Sequence, residues 1–168
     1  MIKNLHQLYL HQIEDLHSAE SQIIEALPKM ISEARDKDLR EALEHHLDET
    51  RHHLERIDTI LGNHDQSADG ETCEAIKGII AEGEHLLSEL GGDAVDAGII
   101  AAAQRVEHYE IAAYGTAREY ADVLDLDDDV KLLEETLGEE GAANKKLTKL
   151  ATGGMIGSGV NKEAMAET

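Results

Sequence analysis

The sequence predicts an all-α fold: a bundle of four long antiparallel helices, with a short extra helix in the crossover connection between its two halves. Three observations carry that prediction. The 168 residues hold a single proline, Pro28, and are rich in Ala, Leu, Ile and Glu, a composition that favours helix over strand. Four long segments repeat apolar residues at helical spacing. Signals for short turns fall inside each half of the chain, and one long connection falls between the halves. Aromatic residues make up 2% of the chain, all of them Tyr, so the core is expected to be aliphatic.

The first helix is expected from about Ile2 to Ala34, with Leu5, Tyr9, Ile13, Leu16, Ile23, Ile24, Leu27 and Met30 on one face. Pro28 lies inside it and cannot donate to the carbonyl of Ile24, which predicts a kink there and not a stop. The second runs from about Lys37 to Leu61 on Leu39, Leu43, Leu47, Leu54, Ile57 and Leu61, closed by Gly62-Asn63 as a left-handed cap. A loop from His64 to Gly70 leads to a shorter helix, about Glu71 to Leu90, closed by Gly91-Gly92. The third long helix spans about Asp93 to Leu124. After an acidic turn from Asp125 to Asp128, the fourth spans about Asp129 to Ala151.

Two hairpins joined by one long crossover are the ferritin-like arrangement. Residues 1–151 therefore form the bundle, and the Gly-rich, polar residues 152–168 read as a flexible tail. An offset of 90 residues sets Leu16 on Val106, Glu20 on Glu110, Leu43 on Leu133, Leu47 on Leu137 and Ile57 on Leu147. This hints at an internal duplication.

Formal net charge is −21, from 36 Asp and Glu against 15 Lys and Arg. Such a surface repels nucleic acid and anionic membranes, since phosphate binding needs a cationic face. It suits solubility, attraction of cations or a salty cytoplasm, and composition does not choose among them. Cys73 is the only cysteine, so no intramolecular disulfide forms and a reducing compartment is expected. The amphipathic start MIKNLHQLYLHQIEDL lacks the apolar core of a signal peptide, and no apolar run approaches the ~20 residues needed to span a bilayer. The expectation is a cytoplasmic protein without a membrane partner.

Carboxylates stand where the helical period demands apolar residues. At about 100° per residue, Glu20 lies at the centre of the first apolar stripe, among Leu16, Ile13, Ile23 and Leu27. Glu110 lies likewise among Ala103, Val106, Ala113, Tyr114 and Ala117, with Glu107 one turn before it. Glu140 sits near the centre of the fourth stripe, and Thr50 at the centre of the second. His46 and His53 lie to one side of Thr50, and Glu49 further round. A buried carboxylate costs several kcal/mol unless it is neutralised, paired or bound to metal. Two divalent ions would answer three such carboxylates at once, accepting both carboxylate oxygen and imidazole nitrogen.

The run AQRVEHYEIAAYGT, Ala103 to Thr116, with SAESQ around Glu20, resembles the YciE/YciF-like stress-associated family of ferritin-like proteins. The likeness extends from near the start of the chain to about Ala151. It implies a helical bundle close to that of rubrerythrin and a homodimer. The rubrerythrin motif matches Glu20 on the first helix, His53 on the second, Glu107, His108 and Glu110 on the third and Glu140 on the fourth. Thr50 stands where that motif has Glu, and Ala143 where it has His.

The expected metal ligands are Glu20, Glu49, His53, Glu107, Glu110 and Glu140, with Glu49 substituting for the missing Glu, Glu20 and Glu140 terminal or bridging, and Glu110 bridging. They would hold two divalent ions, iron or manganese, or a single ion if the set is incomplete. The expected role is handling iron and oxygen or peroxide under stress. The alternative is a structural stress protein with a vestigial site. His45, His46 and His52 are expected to be mostly exposed, His108 to lie beside the site without ligating, and Cys73 to be structural. Tyr9 and Tyr114 are expected on the core faces that carry Glu20 and Glu110.

Overall fold

The computed structural model describes residues 1–68, 72–153 and 158–165. Helix α1 spans Leu5–Glu33 and α2 Lys37–Asn63; α3 spans Glu74–Glu89, α4 Ala94–Val123, α5 Asp127–Thr152 and α6 Val160–Glu163. Asn4 and Asp36 start α1 and α2 by accepting from the backbone N–H of Gln7 at 2.8 Å and Leu39 at 2.7 Å. Helix α1 continues through Pro28, as the sequence predicts. Helix α2 runs two residues further than predicted, through Gly62 and Asn63. The left-handed residue that ends the turn is Asp65, with φ 53°. The predicted start of the crossover helix at Glu71 lies outside the described residues; α3 begins at Glu74 behind Cys73.

Helix α1 packs on α2, α4 on α5, α1 on α4 and α2 on α5, closing a four-membered ring, with α3 against α4 and α1. Cross-links between distant segments set the directions. At one end, the buried Asp96 of α4 accepts from the backbone N–H of Arg35 at 2.8 Å and of Asp36 at 2.9 Å. At the other end, Asp129 of α5 meets Tyr9 of α1 and His64 after α2. Every neighbouring pair in the ring is therefore antiparallel, and the crossover carrying α3 traverses the bundle from end to end. This is the ferritin-like bundle. Among the described residues, no helix is long and apolar enough to cross a membrane.

The core divides into two apolar clusters. One gathers Ile23, Leu27, Leu43, Ile99, Val106 and Leu147. The other gathers Tyr9, Ile13, Leu16, Ile57, Tyr114 and Leu133. On each long helix, the residue that interrupts the stripe lies between the two. Glu20 falls between Leu16 and Ile23, Thr50 between Leu43 and Ile57, Glu110 between Val106 and Tyr114, and Glu140 between Leu133 and Leu147. The period of the helix thus stacks the polar positions at one height.

The segment expected as a flexible tail contributes to the core. Residues 154–157 and 166–168 lie outside the described residues, but α6 docks on α5 and α4 and buries Val160 in the first cluster. Gly159, at φ 71°, turns the chain back, and a Cβ there would meet the backbone of Thr152 and Gly153.

Candidate metal centre

Glu20, His46, Thr50, His53, Glu107, Glu110 and Glu140 are all buried at the height where the apolar stripes are interrupted. Two sets of potential donors form there: His46, Glu107, Glu110 and Glu140, and Glu20, His53 and Glu140. The donor atoms of each set lie within 4.8 Å of one another, and Glu140 is common to both. His53 Nδ1 is 2.9 Å from Glu140 Oε1 and 3.6 Å from Glu20 Oε1. His46 Nε2 is 3.3 Å from Glu107 Oε1 and 4.0 Å from Glu140 Oε2.

These contacts do not satisfy the groups that make them. Among the described residues, the buried side-chain nitrogens and oxygens without a hydrogen-bond partner number nine, and all belong to this cluster. They are Glu20 Oε2, both ring nitrogens of His46, His53 Nδ1, Glu107 Oε2 and both carboxylate oxygens of Glu110 and Glu140. Elsewhere among the described residues, buried side-chain nitrogens and oxygens are paired, as proteins require. Nine unpaired donors and acceptors converging at one height, with mixed carboxylate and imidazole groups, are compatible with a metal site.

Without a cation the cluster holds protons instead. Burial, opposed by the charge of His46 and reinforced by that of Glu140, pushes the Glu107 carboxyl up to about 9. Burial, with the neighbouring charges of Glu140, Glu20 and Glu107, drives Glu110 well above the usual carboxylate range. Burial raises Glu140 too, although its close contact with His53 opposes the shift. For His53, burial acts downward, but the close contacts with Glu140 and Glu20 and their charges outweigh it and hold the imidazole near 10. His46 is also raised, burial being outweighed by Glu49 and Glu107. Burial sets the direction for the three carboxyls, and repulsion among them adds to it: two unit charges about 4 Å apart interact by roughly 4 kcal/mol at an effective dielectric of ~20.

Neighbouring side chains orient the donors. His53 Nε2 lies 3.0 Å from Glu139 Oε2, which leaves Nδ1 facing the cavity. Glu139 in turn is bound by Arg56 Nη1 at 2.6 Å. Tyr114 donates its phenolic hydrogen to Glu20 Oε1, and burial together with the Glu20 charge holds that phenol far above its ordinary pKa. Thr50 turns its hydroxyl back onto the carbonyl of His46 at 2.8 Å and offers nothing to the cavity.

A family described as "Domain of unknown function (DUF892)" matches residues 4–165. The chain belongs to this family. Protein YciF of Escherichia coli K12 is 38% identical over 165 residues, covering 97% of this chain and 96% of that protein. A structure of YcfI from Rhodopseudomonas palustris shares 44% identity at a TM-score of 0.87, covering 89% of this chain and 96% of that one. The crystal structure of the E. coli stress protein YciF aligns at a TM-score of 0.84 with 38% identity, covering 89% of this chain and 95% of that chain. The DUF892 chain is thus a homologue of a bacterial stress protein, and it carries a buried acidic and histidine cluster compatible with metal.

Of the ligands expected from sequence, the structure brings together Glu20, His53, Glu107, Glu110 and Glu140. Glu49 belongs to neither donor set; it stands half-buried on the flank, 3.1 Å from His45 Nδ1 and 3.8 Å from His46 Nδ1. Glu140, expected as a terminal or bridging ligand, is common to both donor sets, and Glu110 belongs to one. His46, expected with the exposed histidines, is buried and offers both ring nitrogens. The missed signal was angular: from Thr50, His46 lies about 40° round the helix and His53 about 60° on the same side. His45, His52 and His108 are exposed.

Tyr9 lies away from this cluster, donating to Asp129 Oδ2 at 2.9 Å at the far end of the bundle. Cys73 caps α3, is buried, and contacts Tyr109 Oη at 2.9 Å and Asp15 Oδ2 at 3.2 Å; burial pushes its thiol up. It takes no part in the donor sets. A cleft of about 580 Å³ opens between α2 and α5 and reaches His46 and Glu107. Ala143 lines it with a methyl group where an imidazole would project.

Proposed function

We propose that this protein is a stress-associated di-metal protein whose buried cluster would hold two iron or manganese ions, with Glu140 common to both donor sets, and would handle oxygen or peroxide. The observation that carries the reading is the convergence of nine unpaired buried donor atoms from four helices. Glu20, His53 and Glu140 would hold one ion, and His46, Glu107, Glu110 and Glu140 the other. When bound, a pair of divalent iron ions supplies the two electrons that, with two protons, convert hydrogen peroxide to two waters. The chain's own part is to hold the donors. Glu139 fixes the His53 ring, Tyr114 fixes one oxygen of Glu20, and the two apolar clusters exclude bulk water above and below. The same reading has the protein acting as a cytoplasmic homodimer, supported by the family resemblance and the lone buried cysteine.

Metal content after anaerobic loading with Fe(II) or Mn(II) tests it. The wild type should retain about two ions per chain and Glu20→Ala/Glu110→Ala fewer than one. A wild type retaining less than one ion, with the double variant unchanged, rejects the metal reading. A second reading, a structural stress protein with a vestigial site, is favoured by Thr50 and Ala143 standing where the rubrerythrin motif has Glu and His. Rapid mixing of the loaded protein with peroxide separates the two: oxidation of the ions supports the first, and inert bound metal the second.

A further inference from the structure

The cleft between α2 and α5 holds a graded ladder of metal-ligating groups. At its rim, the His45 side chain is 73% exposed; below it Glu49 is 23% exposed, His46 7% and Glu107 2%. Successive donors are closely spaced. His45 Nδ1 to Glu49 Oε2 is 3.1 Å, Glu49 Oε2 to His46 Nδ1 is 3.8 Å, and His46 Nε2 to Glu107 Oε1 is 3.3 Å. His46, buried and unpaired at both nitrogens, forms the floor of the cleft. Asp38 and Glu41 stand in the lining, Glu41 3.1 Å from Lys37 Nζ, with Lys146 on the α5 wall.

The other flank of the cluster is built differently. Glu139 is the counterpart of Glu49 at the 90-residue offset, and Arg56 that of Lys146. Arg56 Nη1 lies 2.6 Å from Glu139 Oε2 and Nη2 2.7 Å from Glu135 Oε1. A cation approaching His53 from that side meets a fixed guanidinium. The cleft side offers a carboxylate shared only between two imidazoles. We propose that the α2–α5 cleft is the route by which divalent cations enter the buried centre, with Glu49 passing each ion from His45 at the rim to His46 at the floor. Each step exchanges one oxygen or nitrogen donor, or a water, for the next, and no electron moves. The proposal rests on the di-metal reading above.

Anaerobic stopped-flow mixing with Co(II), followed by its ligand-field absorption and by metal content at the endpoint, tests the route. Lys146→Glu should raise the second-order uptake rate, and Glu41→Lys lower it, by about threefold to tenfold at low salt. Both differences should shrink as salt screens the cleft. Glu49→Gln should slow uptake by roughly tenfold. Lys131→Glu makes the same charge change at the other end of α5, where Lys131 pairs with Asp128, and should stay within about twofold of wild type. Wild-type uptake rates in the Lys146, Glu41 and Glu49 variants, with Co(II) still bound, overturn the route alone. A wild-type protein that binds no Co(II) overturns the di-metal reading and the route together.

Discussion

Glu139 Oε2 sits 3.0 Å from His53 Nε2 while the opposite ring nitrogen, Nδ1, faces Glu140 at 2.9 Å. One carboxylate outside the cavity thereby decides which nitrogen of His53 is offered inside it. Glu139→Gln should weaken binding of the His53-held ion by about 10–100-fold without changing the number of ions bound. Glu135→Gln is the control, because Glu135 shares Arg56 and does not touch His53. Competition against a chromophoric chelator measures both, and equal affinities in the two variants would reject the orienting role of Glu139.

His46 supplies the only imidazole of the four-residue donor set. His46→Ala should lower metal content from about two ions per chain to about one, leaving the ion held by Glu20, His53 and Glu140. Elemental analysis after loading reads the number directly. Two ions retained at wild-type affinity would remove His46 from the ligands.

The metal-free protein should lose stability as the pH rises. Glu107, near 9 when folded against an ordinary 4.5, makes the folded state bind more protons than the unfolded across that window, so its contribution falls as pH climbs through it. His53, near 10 against 6.5, contributes stability that is whole below 6.5 and gone above 10. The signs agree. In chelator, Tm should be higher at pH 6 than at pH 9 by at least about 5 °C. Metal loading should narrow that gap, because the ions replace the protons. The opposite order in chelator would contradict both shifts.

Asp96 closes the end of the bundle by accepting two backbone N–H groups from the α1–α2 turn. Asp96→Ala strands both donors and should cost about 2–4 kcal/mol in urea unfolding, with metal stoichiometry unchanged. A loss under about 0.5 kcal/mol would mean that water replaces the carboxylate there.

Glu20, Glu110 and Glu140 were legible in the sequence because each interrupts an otherwise apolar stripe, and a helical period needs no tertiary information. The crossover was legible from its length alone. His46 was hidden by its company: in the runs His45-His46 and His52-His53, a residue pointing inward differs from its exposed neighbour only by one step of rotation. Glu140 was legible as a terminal or bridging donor, and the choice between those depends on how α2 and α5 rotate against each other, which no single stripe records. Val160 looked like part of a polar, Gly-rich tail, since the groove that receives it is made by helices distant in sequence. The role of Asp96 depends on contacts with residues 60 and 61 positions earlier.

Because Glu140 belongs to both donor sets, the two halves of the centre would not fill independently. An ion held by Glu20, His53 and Glu140 would already fix and deprotonate one of the four donors that a second ion would need. That lowers the ordering cost of the second event, while repulsion between the cations raises its electrostatic cost. Linkage makes this coupling reciprocal: whatever the first ion does to the affinity of the second, the second does to the first. The shape of the binding isotherm, steeper or shallower than that of two independent sites, is therefore a direct readout of one shared carboxylate.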